Sequence, residues 1–418
     1  MKTTPHPIPA AGAATLIALI LCALLSAAVP SAEAAAPPPP AQWVRIPTNP
    51  ASTPPGRKSA AMVYDEQREV ILMHGGRDGS RTFSDTWEWD GETWTRVSTN
   101  GPGVLLHSMA YDAFRNVTVL YGGRWAPGAQ TNAMNSNELW ESDGNAWSKI
   151  ESGAADPLIV AGLVYDPERR KVLRHGGVFN GDVTHEDPAT YEWDGTNWTA
   201  IAQGSFKRGG HSVTYDPVAR KVVSFGGTSA VRPPPSTRET WEFDGAEWTQ
   251  VANTGPAGRV LHGLAYDSYR GVGVLFGGED YPGPLFFGDT WEWNGVEWIE
   301  ANVGVSPAPR SVHAMAYDPK RRRVVLFGGG SPTTPYMNDT WEYGLPPLQL
   351  TVSTRQTDGS LEIRWTGEAP PYQLQSCVSL TTGNWQNEGA PTDANSATVQ
   401  TDGARKFFRV LSLFGNAP

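Results

Sequence analysis

DTWEWDGETW, residues 85–94, is written in full five times in this chain and begun a sixth. The other copies are ELWESDGNAW (138–147), TYEWDGTNW (190–198), ETWEFDGAEW (239–248) and DTWEWNGVEW (289–298). The last, DTWEYG (339–344), stops before its second tryptophan. Upstream of each copy a glycine pair opens at Gly75, Gly122, Gly176, Gly226, Gly277 or Gly328, ten residues after the Asp of a Tyr-Asp pair. These pairs, at Tyr64-Asp65, Tyr111-Asp112, Tyr165-Asp166, Tyr215-Asp216, Tyr266-Asp267 and Tyr317-Asp318, are spaced 47, 54, 50, 51 and 51 residues apart. A period near fifty residues marks a repeat architecture and governs every local reading that follows.

Each repeat reads as four short strands. A small-residue strand ends in Tyr-Asp (HSMAYD 107–112, HAMAYD 313–318), and a β-branched one ends in the glycine pair (RRVVLFGG 322–329). A third strand centres on TWEW, and a fourth resembles EWTQV (247–251). Asp-Pro-x-Arg between the first two strands, and Asp-Gly or Asn-Gly between the last two, are tight-turn chemistry. Glycines at the end of the second strand permit positive φ or the close approach of another backbone.

A fifty-residue sheet cannot cover both its faces alone, but six arranged radially can stack face to face. The fold expected is all-β, a six-bladed β-propeller. RSVHAMAYDPKRRRVVLFGGG (310–330) with NDTWEY (338–343), and RGGHSVTYDPVARKVVSFGG (208–227) with ETWEFDGAEW, resemble the kelch repeat: R-x-x-H, a Gly-Gly doublet and spaced aromatics. The resemblance spans about residues 43–344. It implies the kelch propeller fold, in the same superfamily as galactose oxidase, and binding more often than catalysis. Trp43-Val44-Arg45-Ile46 matches Trp94-Thr95-Arg96-Val97 one period earlier. The N-terminal segment therefore supplies the missing fourth strand of the last blade and closes the ring without an open edge.

Outside the repeats the chain changes character. Lys2, the apolar stretch Ala13 to Ala28 and Ala32-Glu33-Ala34 read as a signal peptide over 1–34, so export to the periplasm, cell surface or medium is expected, with no membrane segment after cleavage. Residues 35–42 form a proline-rich spacer. Cleavage leaves Cys377 as the single cysteine, which excludes an internal disulfide. A net charge of -10 argues against nucleic acid as a partner. Residues 345–418 alternate as strands, with Trp365, Tyr372 and Phe407-Phe408-Arg409-Val410 placed as in a fibronectin type III-like sandwich. That resemblance implies a spacer or surface attachment. A monomer is expected.

Repeated polar residues read as structure, because a set recurring in every blade is spread around a ring. Arg208/His211, Arg259/His262 and Arg310/His313 form R-x-x-H, and His107 has Val104 at the arginine position. Their expected partners are loop carbonyls and neighbouring blades. The glutamate of TWEW (Glu88, Glu141, Glu192, Glu242, Glu292, Glu342) is expected to pair with an arginine of the first hairpin: Arg68, Arg115, Arg169, Arg270 or Arg321.

Function is expected where the copies differ. The loops after Gly-Gly and between blades share one face and are long and unlike one another. The candidate ligand contacts there are Arg77, Arg124, Trp125, His185, Glu279, Tyr281, Phe287 and Tyr336, an aromatic and charged set suited to a sugar or a peptide. No residue receives a catalytic, cofactor or metal role. The reading favoured is a non-catalytic propeller that binds a glycan or protein. Its alternatives are a sugar-modifying enzyme of the sialic acid mutarotase type and an adhesive surface protein. Galactose oxidase-like copper chemistry is disfavoured, because that family needs a Cys-Tyr crosslink and this propeller has no cysteine.

Overall fold

The computed structural model describes residues 40–47, 49–125, 134–152, 157–179, 182–186, 188–203, 206–228, 236–368, 370–379, 384–400 and 406–413. The expected signal segment, and the spacer as far as residue 39, lie outside these.

Six four-stranded antiparallel sheets account for the six repeats. Blade 1 is built from Ala61–Asp65, Val70–His74, Thr86–Trp89 and Trp94–Ser98. Blades 2 to 5 repeat that order, starting from the first strands Ser108–Asp112, Gly162–Asp166, Ser212–Asp216 and Gly263–Asp267. The first strands pack side by side in a cycle that returns from blade 6 to blade 1. Blade 6 takes Ala314–Asp318, Arg323–Phe327 and Thr340–Gly344 from the end of the repeat region and Gln42–Ile46 from its beginning. Trp43 faces Tyr343 across that last pairing, as Trp94 faces Trp89 in blade 1. The chain is a six-bladed propeller closed by its N-terminal strand.

The sequence pattern explains each layer. Second strands are continuous apolar runs because blades cover them on both sides, and Ile71, Leu72 and Met73 are accordingly buried. In the third strand Trp89, Trp193 and Trp293 are fully buried, while the intervening glutamates point the other way and meet the first hairpin. Arg115–Glu141 (2.7 Å), Arg169–Glu192 (3.1 Å), Arg270–Glu292 (2.5 Å) and Arg68–Glu88 form as expected. In blade 4 Lys221 takes the arginine's place at 2.7 Å from Glu242. Blade 6 departs from the expected pairing: Arg321 holds Asp318 at 2.6 Å and reaches the Glu69 carbonyl of blade 1. Glu342 instead accepts the indole N–H of Trp89 at 3.3 Å.

The glycine pairs stitch neighbouring blades together. The second glycine donates its N–H to a carbonyl ahead of the next blade's first strand: Gly76 to Val104, Gly123 to Leu158, Gly177 to Arg208, Gly227 to Arg259, Gly278 to Arg310 and Gly329 to Arg57, all at 2.8–2.9 Å. A Cβ on Gly75 would lie 2.6 Å from the Val104 oxygen, so the approach requires glycine as well as its positive φ.

Beyond Gly344 the described residues form two three-stranded sheets. One holds Gln349–Arg355, Leu361–Thr366 and Ser396–Val399; the other holds Gln386–Asn387, Tyr372–Cys377 and Phe407–Ser412. They share a core of Ile363, Trp365, Tyr372, Leu374 and Val399. Tyr269 and Arg322, in the first hairpins of blades 5 and 6, reach Ser412 (3.0 Å) and Glu368 (3.6 Å) of this part of the chain. The thiol of Cys377 is buried and free.

Candidate functional site

Antiparallel order places the turns after the first and third strands on one face, the turn face, and the loops after Gly-Gly and between blades on the other, the loop face. The channel walls come from the first strands. Its half at the turn face is a chamber of about 710 Å³, lined by Tyr64, Tyr111, Tyr165, Tyr215, Tyr266 and Tyr317 together with turn residues such as Pro167, Pro217 and Pro319. These tyrosines lean toward the preceding blade: Tyr111 Oη accepts the Gln67 amide at 3.4 Å, and Tyr317 Oη the Tyr269 amide at 3.1 Å. Burial pushes the phenols of Tyr64, Tyr111 and Tyr215 up to about 12.

The loop-face half measures about 240 Å³ and shares Met62, Met109, Leu163, Val213, Leu264 and Met315 with the larger chamber, so an apolar collar lies between them. Its mouth is a closed cycle of backbone hydrogen bonds. Ser59 donates to Val312, Leu106 to Ser59, Val160 to Leu106, Gly210 to Val160, Leu261 to Gly210 and Val312 to Leu261, at 2.8–3.3 Å. All six residues have φ between 48° and 69°. That conformation is strained for valine and leucine, by roughly 1–3 kcal/mol each. Nothing in the residue types of these positions announces it.

The four R-x-x-H-type histidines, His107, His211, His262 and His313, are buried in the wall. Their ring nitrogens have no hydrogen-bond partner among the described residues. Each ring packs on the glycine pair of the preceding blade; a Cβ on Gly176, for example, would lie 2.8 Å from His211 Cε1. Burial, with Arg208 or Arg310 nearby, lowers His211 and His313 to about 3.

The arginines at the motif position are equally buried, including Arg57 of blade 1, which has Ala60 where the histidine stands elsewhere. Nη1 of Arg57, Arg259 and Arg310 stands 2.6 Å from Asp85, Asp289 and Asp339, and donates to the carbonyls of Gly75, Gly277 and Gly328 at 2.9–3.0 Å. Each aspartate also accepts the indole N–H of Trp87, Trp291 or Trp341 at 2.7–2.8 Å. Hydrogen bonds and the arginine charge hold these three carboxyls below their ordinary range, against the opposing effect of burial. Removing one partner leaves the other charge buried and alone. Arg310→Ala is therefore expected to lower stability by about 3–5 kcal/mol in denaturant titration while leaving ligand binding intact.

On the loop face the candidate residues fall into separate groups. Glu279 and Tyr281 meet beside the axial mouth, in a hollow of about 160 Å³ floored by Leu106, Val160, Val260 and Leu261. Glu279 accepts a hydrogen bond from Ser311 Oγ at 2.6 Å, and Tyr281 is 37% exposed. Phe287 lies under the Arg259 guanidinium at 3.9 Å and pins its own loop, as Phe83 does under Arg57. Tyr336 receives Lys58 Nζ at 5.4 Å from its ring. Arg77 is exposed and donates to its neighbour's carbonyl, Asp78 O, at 3.2 Å. Arg124 and Trp125 form a short strand between Val104–Leu105 and Met134–Asn135, and Trp125 borders a second hollow. His185 lies in the strand Asp182–Glu186. Sequence reasoning passed over Leu106, Val160 and Leu261, whose apolar character resembled core.

No protein-family model and no curated protein matches this chain. Among solved structures, YjhT aligns with a TM-score of 0.54 at 16% identity, over 71% of this chain and 96% of its own. At that identity the likeness establishes a shared fold.

Proposed function

We propose that the chain is an exported kelch-type propeller that binds a glycan or a protein at the axial mouth of its loop face and performs no chemistry on it. The observation that supports this reading is the hollow beside the hydrogen-bonded ring. Its floor is apolar and fixed by the hydrogen-bond cycle, and Glu279 and Tyr281 stand over it from a loop that the other blades do not repeat. An apolar floor with one phenol and one carboxylate suits the face of a sugar ring or an anchoring side chain. An acid–base reaction needs a proton donor and acceptor within reach of one bound group. The ionisable residues lining the loop-face half of the channel are histidines packed between blades, and those of the wide chamber are the six ring tyrosines with Glu66 and Arg170. The segment after Gly344 is proposed as a fibronectin type III-like spacer.

A glycan array and a pull-down with the mature protein identify the ligand class. Tyr281→Ala and Glu279→Gln are expected to weaken capture at least tenfold with unchanged melting, the size typical of a buried anchor. Undiminished capture by both variants refutes this site. Acceleration of sialic acid anomeric exchange over buffer, followed by NMR, would instead establish the mutarotase alternative.

A further inference from the structure

The geometry points to a socket in blade 2 that accepts a guanidinium group from another molecule. The repeat supplies its own template. In blades 1, 5 and 6 one buried arginine lies between a glycine carbonyl and an aspartate that also holds a tryptophan indole; in blades 1 and 5 it also lies against a phenylalanine. Blade 4 keeps the pair as Arg208–Glu239. Counting back from the histidine and from the first tryptophan of the third strand, blade 2 places Val104 at the arginine, Ser136 at the phenylalanine and Glu138 at the aspartate. Two large side chains are lost and the acid is kept. Blade 3 drops both charged partners together, with Leu158 and Ala189 at those positions. Blade 2 is thus the blade that retains the carboxylate without the arginine.

A cavity of about 160 Å³ occupies this position, bordered by Val104, Gly122, Trp125, Ser136, Glu138 and Trp140. Glu138 still accepts the Trp140 indole N–H at 3.0 Å, just as Asp85 accepts that of Trp87. Its other oxygen is met by Lys149 at 2.8 Å, from a side chain 44% exposed; such a pair is worth little and is readily displaced. Gly122 stands where Gly75, Gly277 and Gly328 offer their carbonyls to an arginine. The remaining acceptor of the template, the carbonyl two residues before the arginine, is here Pro102 O, and it is taken by His74 Nε2 at 2.9 Å. Two of three acceptors are left. Trp125, 46% exposed, provides the ring face that Phe83 and Phe287 provide elsewhere. A planar, bidentate cation fits this set better than an ammonium.

This socket is distinct from the axial hollow and does not rest on it. The test is calorimetric titration of the whole chain with propylguanidinium, an N-acetyl-Gly-Arg-Gly amide and its citrulline counterpart. Both guanidinium probes are expected to bind, and citrulline at least tenfold more weakly. Tighter binding of the peptide than of propylguanidinium assigns the group to a protein partner; equal binding assigns it to a small guanidinium compound. Val104→Arg seats an arginine of the chain's own on Glu138 and should abolish binding. Glu138→Gln, which keeps the indole contact, should weaken it tenfold or more with unchanged melting. Equal affinity for citrulline, or binding that survives Glu138→Gln, overturns the proposal even if Val104→Arg misfolds.

Discussion

Acidification from pH 7 to pH 5 is expected to unfold this protein. Six histidines, His74, His107, His175, His211, His262 and His313, are buried in the blades. Burial holds all of them below the ordinary imidazole range, His74 to about 4 and His211 and His313 to about 3. A base whose pKa is depressed by folding is neutral in both states above the unfolded value of about 6.5 and binds its proton first in the unfolded chain. Stability is therefore complete above that pH and is lost as the pH falls toward 4. His74, His211 and His313 each contribute roughly 2 kcal/mol of loss at pH 5, about 6 kcal/mol together, and the other three add to it in the same direction, which reaches the range a typical domain possesses. Glu66, Asp166 and Glu342, raised by burial, act in the opposite direction. They are three against six. The repeat also names the control. His74 and His175 stand where Phe225, Phe276 and Phe327 stand in other blades. His74→Phe with His175→Phe should remove about a third of the proton uptake and move the midpoint of acid unfolding, followed by far-UV circular dichroism, to lower pH. An unchanged midpoint, or a protein folded at pH 4, contradicts this account.

The same repeat logic explains what the sequence made visible. Period and register made the blades legible, because a side chain that recurs at one place in six sheets is fixed by packing. The pairing of Glu141 with Arg115 and the place of the Trp43 strand in the last blade followed directly. Arg321 escaped: it keeps the contact with Asp318 that Arg115 and Arg270 make with Asp112 and Asp267, but Glu342 turns to the Trp89 indole instead. The mouth of the channel was not legible either. Ser59, Leu106, Val160, Gly210, Leu261 and Val312 share no chemistry, and propensity argues against left-handed valine. The interblade hydrogen-bond cycle imposes that conformation on whatever residue is there. For the loops, comparing copies picked out Glu279 and Tyr281, which the fold brings to one hollow, but it could not foresee that Phe287 is committed to Arg259. Sequence difference marks a loop as variable without saying which side of it faces solvent.

Closure through Trp43 carries the second large effect. Trp43 is 3% exposed, donates its indole N–H to Thr290 at 2.8 Å, and packs on Phe276 and Tyr343 with ring centroids 5.2 and 5.0 Å away. Trp94 does the same in the next blade: it donates to Thr340 at 2.9 Å and packs on Phe327 at 5.2 Å. Trp43→Ala should cost about 3–5 kcal/mol by the usual measure for a buried tryptophan, and so should Trp94→Ala. Removal of all residues before 48 is a different perturbation. It takes away five strand pairs with Thr340–Gly344, and exposes the edge of that strand together with the hydrophobic cluster around Val324 and Leu326. The loss should therefore exceed that of Trp43→Ala, and the truncated protein should associate through its bare edge, visible as concentration-dependent light scattering. Supplying residues 40–47 as a separate peptide should reverse that association, because antiparallel pairing with Thr340–Gly344 needs no covalent link. If the truncated propeller scatters light no more than the intact protein and melts where it does, the N-terminal strand is not what closes the ring.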